Sequence, residues 1–247
     1  MREIVIAKNL DELSKLGADR LISLANAAID KNGRFSVALA GGSTPKSLYR
    51  LLASEDFRSR VDWQRVYFFF GDERCVPPGD PDSNFRMARE NLFDLLGTPE
   101  ENIFRWRTEA DSPQVAAAEY EETIKSVLPR HGLDLILLGI GADGHTASLF
   151  PHTEALTETT RLAAANWVEK LDAWRLTMTF PMLNRAANVV FLVSGDEKAP
   201  VLKEILEGEF QPEKYPAQGI KPSVGNITWL IDDDAADPVE EIGSRKY

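Results

Sequence analysis

The chain is short of most features that announce a chemistry outright. It has one cysteine, Cys75, in 247 residues, so no internal disulfide can form and a cysteine-based zinc site is excluded. No stretch reaches the run of about 18 apolar residues that spans a bilayer. The N-terminal segment MREIVIAKNLDEL holds only three consecutive apolar residues before Ala7, too few for a signal-peptide core. Positive charge is scarce as well: 28 Lys and Arg stand against 39 Asp and Glu, a net charge of −11. A surface that negative repels nucleic acid and anionic membranes, so any anionic ligand must be held by cations gathered locally. HExxH, Gly-x-Ser-x-Gly and the P-loop lysine are missing too, and these carry zinc-protease, serine-hydrolase and nucleotide chemistry. No metal and no cofactor are expected. The expected ligand is a small molecule, and the expected protein is cytoplasmic, a monomer or small homo-oligomer.

What is present has a regular order. A short apolar start at Ile4 to Ile6 is followed by Leu10, Leu13, Leu16, Leu21, Leu24 and Ala28 at helical spacing, closed by Gly33. FSVALA (35–40), RVYFFF (65–70) and LDLILLGIG (133–141) read as buried strands, followed by WRLTMTF (174–180), NVVFLVSG (188–195) and Ile227 to Ile231. Helices are predicted over Ser47 to Ala53, Asn84 to Leu96, Pro113 to Leu128 and Ala199 to Gly208. Strands alternating with helices imply an α/β fold whose mostly parallel sheet is covered on both faces. No repeat, low-complexity tract or linker interrupts residues 1–247, which are read as one domain. The acidic run DDDAADPVEE near the end reads as a solvated strand exit.

Three loops carry the glycines and polar groups, and each follows a predicted strand. If those strands are parallel, the loops meet at one sheet edge, where ligands of such folds bind. In the first loop, Gly41 and Gly42 allow a tight turn with bare N–H groups, and Ser43 and Thr44 add hydroxyl donors at a helix start. Such a turn suits a phosphate, although a plain turn and N-cap has the same composition. The second loop brings Asp72, Glu73 and Arg74 out of the aromatic strand together, as site charges or as a surface salt-bridge cluster. Cys75 beside them is assigned no chemistry. The third loop holds His145, one of three histidines. Gly139, Gly141 and Gly144 bring its backbone close to a ligand, and Asp143 lies two residues away. An imidazole beside a carboxylate is equipped to take a proton from water near neutral pH; a helix-start histidine capped by Asp143 is the alternative. His131 and His152 look like surface residues.

LAGGSTPKSLY, FFFGDERCVPPGDPDSNFRMARENL, LDLILLGIGADGHTASLFP and VSGDEKAPVL together resemble the 6-phosphogluconolactonase family, in order from about Phe35 to Ile231. The resemblance implies a Rossmann-like three-layer α/β/α sandwich shared with glucosamine-6-phosphate isomerases/deaminases. The activity it implies is hydrolysis of 6-phosphoglucono-1,5-lactone, a sugar-phosphate lactone of the pentose phosphate pathway. Carried over by position, the catalytic histidine falls on His145, the site arginine on Arg74, and the phosphate turn on Gly41, Gly42, Ser43 and Thr44. Lys198, in SGDEKA, matches the lysine that reaches the phosphate. In YPAQGIKPSVGNITWLID, similar to the family's closing segment, the basic residue is Lys221. The sister activity, isomerisation with loss of ammonia, uses a glutamate five residues after the histidine; Phe150 stands there, leaving Asp72 as its conceivable base. A non-catalytic sugar-phosphate sensor is the other alternative, and an acidic chain whose first helix precedes Phe35 leaves it no DNA-binding segment.

Overall fold

In the computed structural model, which describes residues 2–128, 132–237 and 239, nine strands divide between two sheets. In chain order they are β1 (Arg2–Ala7), β2 (Phe35–Leu39), β3 (Val66–Phe70), β4 (Asp72–Arg74), β5 (Leu135–Leu138), β6 (Ala163–Val168), β7 (Ala173–Met178), β8 (Asn188–Val193) and β9 (Asn226–Asp232). The main sheet has the order β1-β9-β8-β5-β2-β3, and every neighbouring pair in it is parallel. β2 and β5 are buried along their whole length, as strands covered on both faces must be. His131 and the last residues of the acidic run, Glu240 and Glu241, lie outside the described residues.

The long helices follow the apolar spacing. Helix α1 (Leu10–Asn32) buries Leu13, Leu21, Ile22, Ala25 and Ile29 on one face, with Asn9 accepting from the Glu12 N–H at its start (3.0 Å). Gly33 ends it with φ 79°, donating back to the Ile29 carbonyl (2.8 Å). Helix α2 (Ser43–Leu52) follows β2 directly, and α3 (Asn84–Ala88) follows the second loop. The helix expected to run on to Leu96 widens into a π turn at Arg89–Phe93. There the buried Asn91 side chain donates to the Met87 carbonyl (2.7 Å) and accepts from Arg50 Nε (2.7 Å). Helices α4 (Pro113–Val127) and α5 (Ala199–Glu207) are the remaining long ones, with shorter helical turns between the elements. Among the described residues no helix is long and apolar enough to cross a membrane.

The second sheet, antiparallel in the order β4-β7-β6, was not legible in advance. WRLTMTF forms β7 within it, outside the parallel sheet. Its partners are three charged residues and the alanine-rich AAANWV, neither of which carries a strong strand signal. The acidic run also departs from expectation at one position. Asp232 is buried, because it caps the following turn and accepts from the Ala235 N–H (3.0 Å); Asp233 and Asp234 do face solvent.

Candidate active site

Parallel pairing brings the exits of β3, β2, β5 and β8 side by side, and a side chain fastens the backbone where each leaves the sheet. The Tyr49 hydroxyl accepts from the Ala40 N–H (3.0 Å) and donates to its carbonyl (2.8 Å). Tyr120 accepts from the Phe70 N–H (2.8 Å), and Trp106 Nε1 donates to the Phe70 carbonyl (3.1 Å). The Thr146 hydroxyl donates to the Gly139 carbonyl (2.9 Å), and Asp232 accepts from the Ser194 hydroxyl and the Gly195 N–H. Peptide groups leaving a sheet inside a core need such partners. Burial pushes both phenols far above their ordinary range, so Tyr49 and Tyr120 stay protonated. Tyr49 and Tyr120 lie in apolar helix patterns and read as core; Thr146 passes unnoticed beside His145, and Asp232 reads as part of a solvated acidic run.

The four exits enclose a cavity of about 230 Å3 lined by Gly41, Gly42, Asp72, Arg74, Gly141, His145 and Lys198, with Asn84 and Gly71 between them. Ser43 and Thr44 follow Gly42 in the first turn of α2, whose start has no side-chain cap. Gly42 has φ 104°, a conformation that favours glycine. A Cβ on Gly41 would lie 2.0 Å from Asn84 Oδ1, so glycine there lets the asparagine cross the turn. Asn84 Nδ2 in turn donates to Asp72 Oδ1 (3.2 Å), whose other oxygen accepts from the Ser148 hydroxyl (2.6 Å).

Glu73 faces the opposite way from Asp72 and Arg74 and is buried, so the three charges are no surface cluster. Its carboxylate accepts from the N–H groups of Asn84 and Phe85 (both 2.8 Å) and from Ser83 Oγ (3.0 Å), bracing the start of α3. Burial raises its carboxyl from the ordinary value, while the amides of Asn84, Phe85 and Arg74 favour the ionised form. Burial also pushes the Cys75 thiol up to about 11, leaving little thiolate near neutral pH.

His145 is the best-defined group. Its Nδ1–H donates to Asp143 Oδ1 (2.6 Å), which also accepts the His145 backbone N–H (3.1 Å). With that acceptor fixed, Nδ1 carries the hydrogen and Nε2 presents a lone pair. Phe150 stacks on the ring at 4.0 Å, and Lys170, from the turn between β6 and β7, pairs with Asp143 Oδ2. Burial drops the imidazole to about 4; Asp72 works against that, and Lys198, Arg175 and Arg74 add to it. Near neutral pH the ring is uncharged and able to accept a proton. Ala147, two residues on, is held at φ 48°, an uncommon backbone for a residue with a side chain.

The remaining predicted residues fall elsewhere. Gly144 packs on Tyr215, where a Cβ would come within 2.8 Å of Cδ1, and is not part of the cavity wall. Lys221 lies over Phe210, 3.3 Å from the ring centre, beside a separate cavity. Phe150 and Lys170 touch the His145–Asp143 pair and Arg175 stands opposite Arg74 on the neighbouring strand; none of the three belongs to the cavity wall, and no local signal nominates them for a role in the site. Among the described residues no group of three or more His, Cys, Asp or Glu is arranged to hold a metal ion.

Fold and site together define an α/β protein that gathers scarce cations around a neutral histidine at the carboxyl edge of a parallel sheet. Residues 8–229 match the family described as glucosamine-6-phosphate isomerases/6-phosphogluconolactonase, and the chain belongs to it. A 6-phosphogluconolactonase from Synechocystis sp. is 46% identical over 215 residues, covering 85% of this chain and 87% of the relative. One from Nostoc sp. is 40% identical over 219 residues, covering 87% and 88%. The solved structure of 6-phosphogluconolactonase from Trypanosoma cruzi superposes with a TM-score of 0.86 at 28% identity, covering 97% of each chain.

Proposed function

We propose that the protein hydrolyses 6-phospho-D-glucono-1,5-lactone to 6-phospho-D-gluconate. One observation carries the reading: an uncharged, carboxylate-oriented His145 shares a cavity with Lys198, Arg74 and the uncapped turn at Gly41 and Gly42. The phosphate is held by the N–H groups of that turn, by Ser43 and Thr44, and by Lys198, which points C1 of the ring toward His145. Nε2 takes a proton from a water as its oxygen attacks C1, and the negative charge moving onto the carbonyl oxygen is met by Arg74. When the tetrahedral centre collapses, the bond from C1 to the ring oxygen breaks. That oxygen takes the proton back from His145, and the new acid then ionises in solution. Asp143 keeps the imidazole in the required tautomer, and Asp72 partly offsets the surrounding cations. The setting suggested is the cytoplasm, for a monomer or small homo-oligomer acting in carbohydrate metabolism.

A coupled assay for 6-phosphogluconate release, with the spontaneous ring-opening rate subtracted, tests the reading. Turnover no faster than the spontaneous rate ends it. The sister isomerase reaction is disfavoured because the apolar ring of Phe150 covers the face of His145, where that chemistry uses a carboxylate; ammonia release from glucosamine-6-phosphate would restore it.

Two further outcomes follow from the charges. Because the free imidazole is depressed to about 4, kcat/KM, once corrected for protonation of the substrate's phosphate at about pH 6, is expected to fall about tenfold per pH unit only below that value and to be flat from there to neutrality. A bound dianionic phosphate neutralises Lys198, so the midpoint in kcat is expected to lie above the midpoint in kcat/KM. A kcat/KM midpoint at or above the ordinary histidine value contradicts the assignment. Lys198→Ala is expected to raise KM by roughly tenfold or more, with a smaller loss in kcat. An unchanged KM removes the lysine from the phosphate site.

A further inference from the structure

Arg74 and Arg175 are direct cross-strand partners: β4 runs antiparallel to β7 with Asp72 opposite Thr177, Glu73 opposite Leu176 and Arg74 opposite Arg175. Directly opposed residues share a sheet face, so both guanidinium groups rise on the side that carries Asp72. The same face supports the His145 loop: Thr177 Oγ1 accepts from the Ser148 N–H (3.2 Å), and Asp72 accepts from the Ser148 hydroxyl. Opposite Arg175 on β6, Asn166 donates to the Ser148 carbonyl (2.9 Å). Two like charges placed across a strand pair are unfavourable on their own. This chain has an excess of acids, yet among the described residues neither guanidinium has a carboxylate at ion-pair distance. Arg175 donates to the Trp174 carbonyl (3.2 Å) and Arg74 to the Asp82 carbonyl. Each guanidinium has five N–H donors, so most remain for a ligand. Burial and the neighbouring Arg74 lower Arg175 from its ordinary value, with Asp72, Cys75 and Asp82 working against them.

The cations of the site therefore fall into two groups on two sheets. Lys198 and the Gly41–Gly42 turn come from the parallel sheet; the arginine pair comes from the antiparallel one. We infer that Arg74 and Arg175 together form a subsite for the C1 oxygens, holding the carbonyl oxygen as charge develops on it and then the carboxylate of the product. The inference rests on the lactonase reading above and adds to it a site built for a ligand that becomes anionic at both ends. Arg175 touches the reacting oxygens in this account, and the planar fork of an arginine matches the two oxygens of a carboxylate.

Two probes separate the ends. 6-Phosphogluconate carries both the phosphate and the carboxylate; glucitol 6-phosphate keeps the phosphate and the hydroxylated chain but has an alcohol at C1. Calorimetric titration of the wild-type chain is expected to show tighter binding of 6-phosphogluconate. Arg175→Gln is expected to weaken 6-phosphogluconate about ten- to a hundredfold, to leave glucitol 6-phosphate within about twofold, and to lower kcat more than it raises KM. Arg175→Lys, which restores charge without the fork, is expected to recover part of the lost binding and guards against a misfolded glutamine variant. Equal losses for the two probes would mean that Arg175 serves the phosphate or the fold, and no loss for either would mean that it serves neither end; both overturn the subsite. If the wild type binds both probes equally well, the carboxylate subsite falls while the sugar-phosphate reading stands. If it binds neither, the lactonase reading falls with it.

Discussion

His145→Ala is expected to lower kcat, corrected for spontaneous opening, by about 10²–10⁴-fold while leaving the affinity for 6-phosphogluconate nearly unchanged. The size follows from what a positioned base contributes, and the unchanged affinity from where the charges lie. Lys198, Arg74 and the turn at Gly41 and Gly42 remain in the cavity wall when the imidazole is gone. Removing a half-buried neutral ring takes no countercharge from the anion, so the loss belongs to the chemical step. His145→Gln keeps polar bulk without a usable lone pair on nitrogen and is expected to fall in the same range. Activity restored by added imidazole would locate the missing function at that lone pair. A variant that still turns over the lactone near the wild-type rate would falsify the base assignment.

Gly141→Ala is expected to be nearly as damaging although it removes nothing. A Cβ there would lie 2.0 Å from His145 Nδ1, 2.1 Å from Cε1 and 2.8 Å from Asp143 Oδ1, distances that packed atoms do not reach. Nδ1 and Asp143 already hold each other at 2.6 Å, so the methyl group drives the ring off its carboxylate and turns Nε2 away from C1. A displacement of about 1 Å at a reacting group costs roughly 10²-fold, and kcat should drop by at least that much. Folding should suffer less, because the clash falls on side chains at the rim of a cavity. Gly79→Ala, where a Cβ meets nothing within 4 Å, is the matched control and should behave as the wild type. A Gly141→Ala protein with normal kcat would show that the imidazole does not depend on its bond to Asp143.

These two residues illustrate how far the sequence could be read. His145, Asp143 and the glycines around them lie within one short loop, so their proximity is local and the covalent chain nearly guarantees it. The turn at Gly41 to Thr44 is local in the same way, although its composition serves a plain turn and N-cap equally well and only its place beside the other loops marks it as a site. Element order was legible too: the apolar runs of β2, β3, β5 and β8 and the spacing of α1 state which surfaces must leave water. From alternating strands and helices the parallel pairing followed, and with it the meeting of the loops, which the cavity now shows.

What stayed hidden depends on partners far apart in the chain. Glu73 reads as one charge among three until the alternation of β4 turns it inward, onto the amides at the start of α3. Tyr49 and Tyr120 read as core aromatics, since nothing local says that their hydroxyls close the backbone at Ala40 and Phe70. Lys170 and Arg175 belong to a hairpin of the second sheet; WRLTMTF was legible as a strand, but the weak propensities of β4 and β6 gave no warning that it pairs outside the parallel sheet. Sequence by itself determined the order of elements, the shortage of cations and the chemistry of two loops, because propensity, periodicity and short loops act over a few residues. Only the tertiary structure decided which distant side chains face the cavity, because that depends on strand register between segments a hundred residues apart, and a shift of one position would turn Arg175 to the other face.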